Sequence, residues 1–179
     1  MNEAVPANPP SAFVIRWLAS HAPAPPGQVA LDLACGRGRH VLALARAGYR
    51  TTGIDMQLDA LRSAQAAARR SGLQVSLVCA DLTALSLPPR CADLIVVTRY
   101  LDRSWFSGLE RALRPGGVLL YETFTEQQLR HGRGPRSADH LLKPGELRQL
   151  ATGLEILFDE EVTEPEAVAR LAARRPTGG

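Results

Sequence analysis

The strongest constraint on this chain is an alternation. Apolar runs of strand length ("QVALDLA", "TTGID", "VSLVC", "ADLIVV" and "VLLYETF", at residues 28–34, 51–55, 75–79, 92–97 and 118–124) are separated, with one exception, by stretches of helical periodicity. The helical stretches lie at residues 39–48, closed by Gly48, at the alanine-rich 57–72, and at 105–117, ending at Pro115 and Gly116. A further one at 144–153 is opened by Pro144, and the exception is a polar, proline-bearing loop before "ADLIVV". Strands that are apolar throughout and alternate with helices imply a parallel sheet covered on both faces, with its ligand at the carboxyl ends of the strands. Two last runs, "LEILFDE" and "AVARLAARR", flank a short acidic turn and predict an antiparallel hairpin.

With 179 residues, 45% of them hydrophobic and 22% charged, the expectation is a single globular domain over 1–179. Residues 1–10 read as a loose leader, 11–27 as a helix and linker, and 28–174 as the core. Ser11 is placed as the cap of that first helix, whose face carries Phe13, Val14, Trp17 and Leu18. No apolar run reaches membrane-spanning length and the leader lacks the pattern of a secretory signal. Cys35, Cys79 and Cys91 form no CxxC pair, which predicts reduced thiols, a cytoplasmic location and no zinc site. The four histidines lack metal-ligand spacing. A net charge of +3 mildly favours an anionic partner, and without a clustered basic face it does not indicate nucleic acid.

Chemistry should sit in the loops after the strands, and "LDLACGRGRH" (residues 31–40) is the most informative of them. Gly36 and Gly38 lie in the turn after the first strand, where bare backbone admits a nucleotide-like cofactor. A dinucleotide fingerprint starting at Gly36 needs glycine at position 41, where this chain has Val41. Asp32 would repel a pyrophosphate and attract an ammonium group, such as the one that S-adenosylmethionine carries beside its sulfonium. Asp55 follows Gly36 by 19 residues, the spacing of an acid that accepts from ribose hydroxyls. Asp81, after the third strand, can accept from an adenine amino group while the Leu82 N–H donates to a ring nitrogen. Singly, each acid is an ordinary turn former; together, at three consecutive strand ends, they mark a site.

With these residues in place, the chain resembles the class I S-adenosylmethionine-dependent methyltransferases. "LDLACGRGRH" stands as the glycine motif, "GIDM" as the ribose motif, "CADL" as the adenine motif, and "ALRPGGVLLYETF" as the turn and fifth strand. The resemblance spans residues 28–174 and implies an α/β, doubly wound, seven-stranded Rossmann-like methyltransferase sheet with an antiparallel C-terminal hairpin. It implies a cofactor site of Asp32, Ala34, Gly36, Gly38, Arg39, Asp55, Met56, Asp81, Leu82 and Thr98. Ala34 stands where many relatives have the first glycine. Arg39 either pairs with the cofactor carboxylate or is a solvated first-turn arginine, and Met56 either packs on the adenine edge or is core.

The segment "YETFTEQQLRHGRGPRSADHLLKPGEL" resembles the small bacterial tellurite-resistance and thiopurine type, although the hairpin turn "DEEVTEPEA" lacks the His and Arg of the tellurite enzymes. The acceptor expected is therefore a small molecule other than tellurite. Arg99, Tyr100 and Arg103 in "TRYLDR", with Tyr121 and Arg133, are candidates for positioning it, and either tyrosine alone reads equally as strand-end packing. Absence of an Asn/Asp-Pro-Pro-Tyr motif there argues against DNA or protein amine methylation. Arg130, His131, Arg133, Arg136, His140 and Lys143 crowd the loop at 125–143, which either closes over an anionic or polar acceptor or is a solvated loop. Methyl transfer from a sulfonium is an in-line displacement that needs orientation more than a base, so no catalytic residue is assigned. The alternatives are an RNA methyltransferase, for which an aromatic-interleaved basic stripe is missing, and a cofactor-binding module without chemistry. An NAD(P) protein is disfavoured by Asp32 and Val41.

Overall fold

The structure is a computed structural model that describes residues 9–178. Most of the leader expected at 1–10 lies outside the described residues. The seven strands form one mixed sheet in the order β3-β2-β1-β4-β5-β7-β6, and the chain divides into two compact units, one up to Leu85 and one from Ser86 on.

In the first unit, helix α1 (Ala12–Ser20) precedes β1 (Val29–Leu33), α2 (Arg39–Arg46), β2 (Arg50–Asp55), α3 (Leu58–Arg70) and β3 (Ser76–Cys79). Ser11 caps α1 as the sequence predicts, its hydroxyl accepting the Phe13 N–H at 3.2 Å. The Ser11 N–H in turn donates to His40 Nε2 at 2.9 Å, which ties the start of α1 to α2. The strands are parallel, with Leu33 opposite Ile54 and Asp55 opposite Cys79, so the acids of β1 and β2 lie at the same carboxyl edge. Gly53 is required inside β2, since a Cβ there would stand 2.6 Å from Val41 Cγ2 and 2.9 Å from Cys35 Sγ.

In the second unit, β4 (Ala92–Thr98) is parallel to β5 (Leu113–Phe124), which pairs antiparallel with β7 (Val168–Arg174), itself antiparallel to β6 (Glu155–Val162). Helices α4 (Phe106–Ala112) and α5 (Glu146–Leu150) lie between these strands in sequence. Leu94 to Val97 of β4 and Leu119 to Phe124 of β5 are buried, the near-continuous burial of strands covered on both faces.

Two expected boundaries move. The helix expected to run to Pro115 and Gly116 ends at Ala112, because the proline ring clashes with the carbonyl four residues back and disfavours helical backbone at Arg114. Leu113 pairs instead with Ala92. Pro144 does not open α5: Gly145 caps it in a left-handed conformation at φ 71°, its N–H held by Glu161 Oε1 at 2.7 Å.

Candidate functional site: the carboxyl ends of the strands

In the first unit, the turn after β1 carries Ala34 at φ 56°, Gly36 at 53° and Gly38 at 79°. Space in front of Gly36 is open, with nothing within 4 Å of an added Cβ, whereas at Gly38 a Cβ would meet Ala64 Cβ of α3 at 2.7 Å. Gly36 thus leaves backbone bare toward a ligand, and Gly38 lets two helices close up. The Gly36 N–H donates to Asp55 Oδ2 at 2.7 Å and the Gln57 N–H to Asp55 Oδ1 at 2.8 Å, so Asp55 orients both the glycine turn and the entry to α3.

Asp32 is fully buried. Its Oδ2 accepts the Val41 N–H at 3.1 Å, supplying the N-terminal cap of α2 that Gly38 has no side chain to provide. Its Oδ1 has no hydrogen-bond partner. Burial pushes this carboxyl up to about 8, with Asp55 adding to the rise and the Val41 N–H and Arg39 opposing it. Asp81 caps the 3₁₀ turn Leu82–Ala84, its Oδ1 taking both the N–H and the hydroxyl of Thr83, and these bonds lower its pKa. The Leu82 N–H opens that turn, a position with no partner within its own helix. Arg39 donates to the Pro9 carbonyl at 3.1 Å, and Met56 is 66% exposed. Cys35 is buried, its thiol pushed up chiefly by desolvation and further by Asp32 and Asp55, which makes it inert as a nucleophile.

In the second unit, Thr98 is buried as the last residue of β4. Arg99 follows at φ 58° and pairs with Glu166 at 2.7 Å, its guanidinium 5.5 Å from the Phe124 ring centroid. The Tyr121 hydroxyl is buried and donates to the Tyr100 carbonyl at 2.9 Å, so Tyr121 holds the backbone of Tyr100. Arg103 grips Glu146 through Nε (2.6 Å) and Nη2 (3.0 Å) and also donates to the carbonyls of Asp139 and Leu141. Arg133 donates to the Pro165 carbonyl at 2.8 Å. Among the described residues no His, Cys, Asp and Glu cluster could hold a metal ion, and no helix is long and apolar enough to cross a membrane.

Residues 30–117 match the family model of the methyltransferase domain. The chain is 27% identical over 122 residues to a ubiquinone biosynthesis O-methyltransferase of Idiomarina loihiensis, which covers 65% of this chain and 50% of that relative. It spans about half the length of this relative and of the ubiquinone biosynthesis O-methyltransferase of Methylococcus capsulatus. Its fold is similar to that of a SAM-dependent methyltransferase from Methanosarcina mazei (TM-score 0.69, 23% identity, 89% of this chain and 98% of that one). TehB from Haemophilus influenzae is similar as well (TM-score 0.73, 20% identity, 90% of this chain and 61% of that one).

The cofactor that the matching methyltransferase domain implies is S-adenosylmethionine. Asp32 Oδ1, buried and unpartnered, suits a ligand ammonium, and the open face of Gly36 admits a ligand beside it. These residues fit S-adenosylmethionine. Beyond the methyltransferase motifs, sequence reading missed a row of charges across the hairpin. Buried Glu122 of β5 binds Arg170 of β7 at 2.7 Å, which also binds Glu160 of β6 at 3.0 Å. The acid inside "YETF" facing an arginine inside "AVARL" was the available signal, readable only once the strand register was known. Gln128, 1% exposed, was missed too, and a glutamine in a polar loop offers no such signal.

Proposed function

We propose that this chain transfers a methyl group from S-adenosylmethionine to a small-molecule acceptor in the cytoplasm. The observation that carries the reading is the buried, unpartnered Oδ1 of Asp32 beside a glycine turn that Asp55 holds open. A buried carboxyl without a partner costs free energy that a ligand cation recovers. Asp55 keeps acceptor capacity for ribose hydroxyls, since each of its oxygens takes one backbone N–H. Asp81 and the Leu82 N–H offer an acceptor and a donor to the edge of adenine, and Ala34, Gly36, Gly38, Arg39 and Met56 complete the first unit's surround.

The cofactor supplies a methyl group already activated on a sulfonium. What the protein must add is alignment of the acceptor heteroatom behind that carbon, which orientation alone makes much faster. Arg99, Tyr100, Arg103, Tyr121 and Arg133 are proposed to shape the acceptor side, most of them by holding backbone and loops in place. The free cysteines fit a reducing cytoplasm. Isothermal titration with S-adenosylmethionine, S-adenosylhomocysteine and NADH tests the reading. Micromolar binding of the first two alone supports it, and absence of both overturns it.

A further inference from the structure

The loop after β5 borders a half-open pocket of about 430 Å³ within the second unit, lined in part by Arg103, Glu126, Leu129, Arg136, Leu141 and Lys143. Both of its walls are fixed. The near wall, the 3₁₀ turn Glu126–His131, is clasped to the β6–β7 turn: the Thr125 N–H donates to the Ala167 carbonyl (3.0 Å), and the Ala167 N–H to Gln128 Oε1 (2.7 Å). Gln128 Nε2 holds the Arg133 carbonyl (3.1 Å), Arg133 holds the Pro165 carbonyl, and His131 Nε2 lies 2.7 Å from the Thr163 carbonyl. The far wall hangs on Arg103, whose guanidinium binds both oxygens of Glu146 and two carbonyls, while the Lys143 N–H also donates to Glu146 Oε2 at 2.8 Å.

Against this pairing, the side chains of Arg136, Lys143 and Glu126 make no hydrogen bond or ion pair among the described residues, and Leu129 is 51% exposed. Asp139 and Glu146 face Arg103, and the Lys143 charge also acts on Glu146, which leaves Glu126 as the uncommitted acid and Arg136 as the uncommitted cation, with Lys143 shared between Glu146 and the pocket. A rigid pocket of this size with an apolar wall and a few unmet charges is how small-ligand sites are built.

We propose that this pocket binds a small amphiphilic carboxylate, its anion at Arg136 and Lys143, its apolar body on Leu129 and Leu141, and a hydroxyl or ammonium donor facing Glu126. That the bound molecule is the methyl acceptor rests on the function proposed above. The pocket lies in the loops at the carboxyl ends of β4 and β5, the edge where sheets of this kind take their ligands.

The probes are 3-phenylpropionate and its neutral amide, titrated into the full ¹⁵N-labelled chain with amide shifts followed by NMR. The carboxylate is expected to bind with shifts confined to residues 102–104 and 126–146, at least about tenfold more tightly than the amide, as loss of charge-assisted bonds requires. The double variant Arg136→Gln/Lys143→Gln, both at exposed side chains, should weaken the carboxylate by a similar factor and leave the affinity for S-adenosylmethionine unchanged. Equal binding of acid and amide, shifts elsewhere, or an unaffected variant overturns the proposal. If the carboxylate binds as expected while S-adenosylmethionine does not bind, the pocket stands and the methyl-transfer reading falls. If S-adenosylmethionine binds and the carboxylate does not, the pocket proposal alone falls.

Discussion

The two compact units treat their strand ends in opposite ways. In the first, polar groups are left unmet: Asp32 Oδ1 has no partner and Gly36 opens onto empty space. In the second, Arg99, Arg103 and Arg170 are ion-paired and the Tyr121 hydroxyl is bonded, and the unmet charges, Glu126 and Arg136, lie in the loop beyond the strands. Charge divides the same way, with 8 Lys and Arg against 5 Asp and Glu up to Leu85, and 13 against 13 from Ser86 on. In the function proposed above, an unmet buried carboxyl would receive a cofactor common to many enzymes, while a chain-specific acceptor would call for a wall whose shape is set by internal pairing.

The contrast breaks first, if it breaks, at Asp32. The folded protein keeps a proton on this carboxyl up to about pH 8, whereas the unfolded chain loses it near the ordinary carboxylate value of 3.8. Its contribution to stability is therefore complete below that value and is lost as pH rises through about 8, by up to about 1.4 kcal/mol per pH unit. Urea melts from pH 5 to 8 should show this slope in the free protein and a flatter one in Asp32→Asn. Equal slopes would mean that Asp32 is met by a partner after all.

Next in size is Asp55→Ala, which removes the acceptors proposed for ribose and two loop hydrogen bonds. Affinity for S-adenosylmethionine should fall about 100-fold, two charge-assisted bonds' worth, in calorimetry. Gly38→Ala should destabilise by about 2–3 kcal/mol, from a Cβ against Ala64 and a left-handed backbone that alanine resists. Chemical denaturation reads it directly, and a neutral result would mean that α2 and α3 can part without loss.

What could be read from the sequence follows the same division. Asp32, Gly36, Gly38 and Asp55 lie within 24 residues of one another, and their spacing is set by one strand, turn, helix and strand, so periodicity reveals them. The second unit's partners are far apart in sequence: Arg99 and Glu166 are separated by 67 residues, Arg103 and Glu146 by 43, and Glu122 and Arg170 by 48. No local pattern encodes which of thirteen cations meets which acid, so the arginine-rich loop read equally as lid or solvent. Two helix ends were misplaced by a few residues: Pro115 acts on the residues before it, so α4 stops at Ala112 and Leu113 is free to pair with Ala92, while a distant Glu161 holds the Gly145 cap that no local signal marks.

In the second unit, the Arg103–Glu146 pair offers a smaller test. Both side chains are partly exposed, at 36% and 18%, which screens the attraction. A double-mutant cycle with Arg103→Ala and Glu146→Ala should give a coupling of about 1 kcal/mol and leave cofactor affinity unchanged. A change in cofactor affinity would show that the paired wall reaches the unpaired site.

The smallest effect should run in the stabilising direction. Ala34 and Arg99 both adopt positive φ directly after a strand, at 56° and 58°. For a residue with a Cβ this conformation costs about 1–2 kcal/mol, and replacing it by glycine relieves that strain while adding up to about 1 kcal/mol of unfolded-chain entropy. Ala34→Gly loses only a methyl group, so a net gain of about 0.5–1 kcal/mol is expected, with cofactor affinity unchanged within about twofold. Arg99→Gly gains the same relief and forfeits the pair with Glu166 and the contact with Phe124, so it should come out neutral or destabilised. Stability and calorimetric affinity measured together on both variants separate two roles for the strained position after β1. If Ala34→Gly gains stability and keeps affinity, the methyl group is incidental. If it gains stability and loses affinity, the Ala34 Cβ is a wall of the cofactor site, and the strain is retained for the contact that it makes.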